Sequence, residues 1–140
     1  MIVASVHSRF KMDEGEMTRR LVRAMRLPVF KIWGHARGRL LLERDPFACR
    51  MEEVLDALAS SRGAVEVNGD PQRMEMEPRF LRMARERGIP VVLSVDAHST
   101  AALGFLRYAV AVARRGWVRR CDVLNARPVE EFKRAVRPAG

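Results

Sequence analysis

Cysteine is nearly absent: Cys49 and Cys121 lie far apart and outside any Cys-x-x-Cys spacing. That excludes a disulfide framework and a zinc finger, and it suits a reducing, cytoplasmic setting. Long apolar runs are missing too. The longest, Ala101–Leu106 and Tyr108–Ala113, are split by Arg107, far short of the ~20 residues that cross a bilayer, so no membrane association is expected. The first residues carry no basic lead-in and no cleavage site, so no secretory leader is expected either. Low-complexity linkers are absent, and so is most lysine. Of 26 basic residues all but Lys11, Lys31 and Lys133 are arginine.

The chain has 140 residues, 48% of them hydrophobic, which fits one domain with an ordinary core and argues against disorder. Its net charge of +9 is arginine-borne. The planar guanidinium suits phosphate, so a polyanionic partner such as nucleic acid is one reading. The other is a compositional preference for arginine over lysine with no ligand behind it. Charge alone leaves both open.

Four times a short β-branched run is followed by a loop and then by helical periodicity. Ile2–Val6 precedes a helix capped by Asp13, with Glu16 three residues on and Met17, Leu21, Ala24 and Met25 inward. Val29–Trp33 precedes a second helix, predicted to open at Asp45-Pro46, bury Met51, Val54, Leu55, Leu58 and Ala59, and end at Gly63. Ala64–Asn68 leads through a Gly69-Asp70-Pro71 turn to a helix near Pro78–Arg87 with Phe80, Leu81 and Ala84 inside. Pro90–Val95 leads to a helix capped by Ser99 or Thr100 that buries Leu103, Leu106 and Val110. A last helix is predicted near Val129–Val136. Such alternation implies parallel strands with right-handed crossovers, an α/β fold spanning 1–140 as one domain.

Chemistry in these folds gathers where parallel strands end. All three histidines stand there: His7 after the first run, His35 after the second, His98 after the fourth. Asp96 and His98 are two apart, so in extended backbone they lean to one face. Imidazole with carboxylate suits zinc, manganese or iron. A single histidine is more often a hydrogen-bonded structural residue, and the joint placement is what raises metal binding above that. Arg9, Arg37, Arg39 and Arg73 cluster at the same edge and could hold a phosphoryl group or pair with Glu43, Asp45, Asp70 or Glu75. Glu66 and Asn68 share one face of their strand. Glu66 sits in too apolar a context for a solvated charge and would ligate a metal or orient a ligand.

Ala4-Ser5-Val6-His7-Ser8, Gly34-His35-Ala36-Arg37-Gly38-Arg39-Leu40, Glu66-Val67-Asn68 and Asp96-Ala97-His98-Ser99-Thr100 occur in this order. Together they resemble the polymerase and histidinol phosphatase (PHP) domain, most closely the version in bacterial family X DNA polymerases. Arg107-Tyr108, Ala113–Trp117 and Asp122–Asn125 look like that branch's C-terminal segment. The resemblance implies a distorted, TIM-like (β/α)7 barrel with a cluster of divalent metal ions at the strand ends. It implies His7, His35, Asp96 and His98 as ligands, with Arg39 beside Asp96 and His98 in catalysis. The implied activity is metal-dependent phosphoester hydrolysis, a 3′–5′ exonuclease or DNA-end phosphatase, in which water attacks phosphorus.

The sequence also departs from that pattern. It has no paired His-x-His opening, no Asp/His motif following it and no bridging glutamate from an early strand. Ala36 and Arg37 stand where the branch usually has proline and threonine. The resemblance therefore covers the later part of the barrel, with an incomplete cluster. A homodimer or a preceding segment would complete it across the edge near Ile2–Val6. The alternatives are a catalytically silent arginine-rich nucleic-acid binder and a truncated, inactive product.

Overall fold

A computed structural model describes residues 1–137. The four β-branched runs form strands β1 (Ile2–Ala4), β2 (Lys31–Trp33), β3 (Gly63–Asn68) and β4 (Val91–Ser94). They make one sheet in the order β1-β2-β3-β4, each neighbouring pair parallel. Helices α1 (Glu14–Met25), α2 (Met51–Ala59) and α3 (Pro78–Glu86) connect them, and α4 (Leu106–Arg115) and α5 (Val129–Val136) follow β4. This is the alternating α/β arrangement the sequence predicts.

Right-handed crossovers between strands in sequential order place the connecting helices on one side of the sheet. Strand alternation then sorts the side chains. Trp33, Val65, Val67 and Val91 join Met17 and Leu21 of α1, Leu55 of α2, Leu81 of α3 and Val112 of α4 in the main core. Ile32, Ala64 and Val92 point the other way, into a smaller core closed by Leu124 and by Phe132, Ala135 and Val136 of α5. Further along this second face the same alternation brings Glu66, Asn68 and Ser94. Its lower half is therefore apolar and its C-terminal half polar.

The start of α1 is as expected: the Asp13 carboxylate accepts the Glu16 N–H at 2.7 Å. At its other end the buried Lys31 ammonium donates to the Met25 and Leu27 carbonyls at 2.8 and 2.7 Å and to the Ser61 hydroxyl at 3.0 Å. All three of its protons are used, which is how a lysine is tolerated inside. Burial, aided by the charge of Arg62, holds its pKa below the usual 10.5.

Several expectations are corrected. Asp45-Pro46 does not open α2, which starts at Met51 after Arg50. Phe47 is buried and donates its N–H to the Arg37 carbonyl at 3.1 Å, so this segment is drawn in as a loop. Gly63 does not end α2 but begins β3, and Ala57 rather than Ala59 completes the buried stripe. Ser99 accepts the Ala102 N–H at 3.3 Å, yet the turn it opens is a 3-10 stretch, Ala101–Phe105, ahead of α4.

In that region Leu103, Leu106 and Val110, expected inside, are exposed, and Ala109, Val112 and Ala113 are buried instead. The reason is distance: a Cβ on Gly69 would lie 2.6 Å from the Ala109 nitrogen and 2.9 Å from its Cβ. Backbones that close admit only small residues between them.

Gly63 is equally confined, because an added Cβ would stand 2.6 Å from both the Lys31 carbonyl oxygen and a Leu58 methyl. Gly63→Ala is expected to lower stability by about 1–3 kcal/mol in urea unfolding. Gly104→Ala, whose Cβ meets nothing within 4 Å, is expected to change it by less than about 0.5 kcal/mol.

Candidate active site

The loop after β2 is held by two buried carboxylates. Glu66 of β3 accepts the His35 N–H, the Asn68 amide at 3.3 Å and the Ser94 hydroxyl. Glu75 accepts the Arg37 N–H at 3.1 Å and the Arg39 N–H. Neither carboxylate has a cation within 4.0 Å among the described residues, so backbone and neutral donors carry the compensation. Burial pushes the Glu75 carboxyl above the usual carboxylate range, against the pull of those two N–H donors and of Arg39.

These anchors fix His35 with φ at 27°, a conformation that L side chains rarely adopt. Its residue is 8% exposed, and its ring meets that of His7 edge-on with centroids 5.0 Å apart. His7 stands just beyond β1 and is exposed. The Nδ1 of His35 is buried without a hydrogen-bond partner among the described residues. Burial chiefly, then the charges of Arg73 and His7, hold the His35 pKa below 6.5, with Glu66 opposing. The neutral ring is the form that can ligate a metal.

Of the three histidines, then, the structure brings His7 and His35 together. Asp96 and His98 stand after β4, but not in extended backbone: φ at Asp96 is +51°. The expected common lean is replaced by a turn, in which the His98 Nδ1 lies 2.7 Å from the Asp96 backbone oxygen. The Asp96 carboxylate faces Arg73 at 3.9 Å. Among the described residues no three His, Cys, Asp or Glu side chains converge where an ion could sit.

The arginines divide. Arg37 pairs with Glu77 at 2.8 Å, donates to the Phe47 carbonyl at 3.2 Å and lies over the Phe80 ring. Arg39 donates to the Arg73 carbonyl at 2.8 Å and to that of Met74. Both guanidiniums expected at a phosphate are thus committed to protein partners that sequence spacing did not reveal. Arg73 remains between Asp96 and His35, its side chain 17% exposed, with one further contact to the Arg39 carbonyl at 3.5 Å. Arg9 is exposed, with φ at 58°.

No family model matches the chain. It is 30% identical over 133 residues to the DNA polymerase/3'-5' exonuclease PolX of Bacillus subtilis strain 168. The match takes in 95% of this chain and 23% of that protein. The chain is thus similar to part of that protein and spans about a quarter of its length. None of its described helices is long and apolar enough to cross a membrane.

Sequence reasoning placed Glu66 and Asn68 on one strand face but missed Ser94 and the bracing role of Glu75. Ser94 was legible as the polar residue closing an apolar strand. Glu75 was not, since its donors lie 38 and 36 residues away.

By NMR the His35 ring is expected to titrate below 6.5, and Arg73→Gln to move its midpoint upward by removing a repelling charge. Because the folded value is depressed, the contribution of His35 to stability is present above pH 6.5 and lost as pH falls through the folded midpoint. Glu75→Gln, which leaves one loop N–H facing an amide NH2, is expected to lower stability by about 1–3 kcal/mol in denaturant unfolding.

Proposed function

We propose that this chain contributes part of a metal-dependent phosphoesterase site acting on nucleic acid, of the 3′–5′ exonuclease or DNA-end phosphatase type, within a PHP-like barrel. The observation that supports it is the His7–His35 pair. Two imidazoles meet at the C-terminal ends of adjacent parallel strands, and one has a buried, unpartnered nitrogen. A buried nitrogen in that state fits a ligand that another group completes. The similarity to a polymerase/3'-5' exonuclease points to the same substrate class.

In this reading His7 and His35 would supply two donors to zinc, manganese or iron. When bound, such an ion supplies Lewis-acid polarisation of a phosphoryl oxygen. Glu66 keeps the His35 backbone in place. Arg73, held from one side by Asp96, offers its remaining donors to a phosphoryl oxygen. Asp96 and His98 could approach only after the turn between them opens.

Further donors would come from strands beyond β1. Its outer edge is unpaired among the described residues, and Ile2 and Val3 on it are 45% and 63% exposed. Sequential parallel order, with the connecting helices on one face, is what a segment of a barrel has. A preceding segment or a second copy of the chain would then close the site.

A second reading, a catalytically silent nucleic-acid binder, is favoured by the two-ligand limit and by the exposed arginines. Equilibrium dialysis against zinc and manganese separates them. Stoichiometric binding that disappears in His35→Ala and in His7→Ala is the expected result. Absence of binding, or binding indifferent to both substitutions, would overturn the phosphoesterase reading and leave the binder.

A further inference from the structure

Beside the loop that carries His7, the exposed side of α1 forms a concavity of about 440 Å³ lined by Arg9, Met12, Glu16, Arg19, Arg20 and Arg23. Four of its six lining residues are arginines. No carboxylate oxygen lies within 4.0 Å of any of these four guanidiniums among the described residues, although Glu16 shares the concavity. Arginines elsewhere, among them Arg114, Arg115 and Arg120, also lack a carboxylate partner; what sets these four apart is that they line one concavity.

On a helix Arg19 and Arg23 are neighbours at i and i+4, and Arg20 and Arg23 at i and i+3. Like charges so placed repel by a few tenths of a kcal/mol per pair, about 0.2–0.5. Glu16, three and four residues before Arg19 and Arg20, eases their share of it, but Arg23 has no acidic residue at helical spacing, and a polyanion would relieve what is left.

The concavity is also tied to the candidate site. Arg20 donates to the Ser8 carbonyl at 2.9 Å, in the residue after His7, and touches the Met12 sulfur at 3.7 Å. This contact fixes the loop in which Arg9 is held at φ 58°, turning that side chain toward the α1 arginines. Non-glycine residues in this conformation persist where the surroundings impose it. The loop thus joins two surfaces: His7 on one end, the arginine concavity on the other.

We propose that this concavity is a docking track for a single nucleic-acid strand, which it holds by the phosphodiester backbone and leads to the His7–His35 pair. A strand is favoured over a duplex because His35 is almost wholly covered, so only a chain end could reach it. Guanidinium forks match phosphate oxygens two at a time, and Met12 gives the recess an apolar floor. The track depends on the phosphoesterase reading only for where the strand leads, since its charge stands without any metal.

The test is anisotropy of a fluorescent single-stranded oligonucleotide binding to the full chain over a salt series. The variant Arg9→Gln/Arg19→Gln/Arg23→Gln is expected to bind at least about ten-fold more weakly, with the log–log salt slope reduced by about 2, or roughly 0.7 per lost phosphate contact. A control of equal charge, Arg114→Gln/Arg115→Gln/Arg120→Gln, is expected to stay within about three-fold. Arg19→Gln/Arg23→Gln, on the exposed helix surface alone, should show most of the loss if the Arg9 loop tolerates no change. His7→Ala/His35→Ala should retain strand binding, so a failed metal site is told apart from a failed track. Equal losses in the two triple variants would overturn the proposal, as would no binding at low salt or a duplex bound more tightly than the single strand.

Discussion

The Glu66 carboxylate is the point on which the C-terminal edge of the sheet depends. It rises from β3 into a position 7% exposed and gathers donors from three places: the backbone after β2, Asn68 on its own strand and Ser94 on β4. A buried charge without these donors would cost several kcal/mol, about what most small domains can least spare. With them it fixes the ends of three strands relative to one another. Everything held beyond those ends, His35 first, takes its position from that arrangement.

A division within one sheet face makes this possible. Ile32, Ala64 and Val92 sit low on the face and are sealed by α5, which keeps water from the strands' N-terminal ends. Glu66, Asn68 and Ser94 follow at the same parity higher up. A period of two thus places apolar and polar layers on one face merely by changing residue type along the strand. The helix-bearing face is apolar apart from Lys31, whose ammonium is fully hydrogen-bonded, and it supplies most of the burial. Stability and chemistry occupy different places and do not compete for the same side chains.

The strands, α1 and the placement of His7, His35 and His98 at strand ends were legible, because they follow from local periodicity and from the rule that parallel strands present their loops at one edge. The start of α2 and the face of α4 were not. Asp45-Pro46 is a good helix opening in isolation, and only the buried Phe47 and its bond to Arg37 override it. Leu103, Leu106 and Val110 are better core residues than Ala109 and Ala113, and only the close approach at Gly69 reverses the choice. The roles of Arg37 and Arg39 were hidden for the same reason, since Glu77 lies 40 residues from Arg37 and Arg73 lies 34 from Arg39. Spacing records what repeats along the chain, not what a loop meets across it.

The arginine excess, ambiguous as composition, separates once each guanidinium has a place. Arg37 and Arg39 are internal struts: one balances Glu77 and stacks on Phe80, the other closes carbonyls of the β3–α3 loop. Arg9, Arg19, Arg20 and Arg23 have no carboxylate to answer them within the described residues. The two histidine-bearing loops are accordingly secured by opposite charges. Buried carboxylates grip the backbone N–H groups around His35, whereas a guanidinium grips a carbonyl beside His7. The first contact is shielded from water and salt and the second is exposed, so the His35 loop is the stiff member of the pair and the His7 loop the one that can adjust.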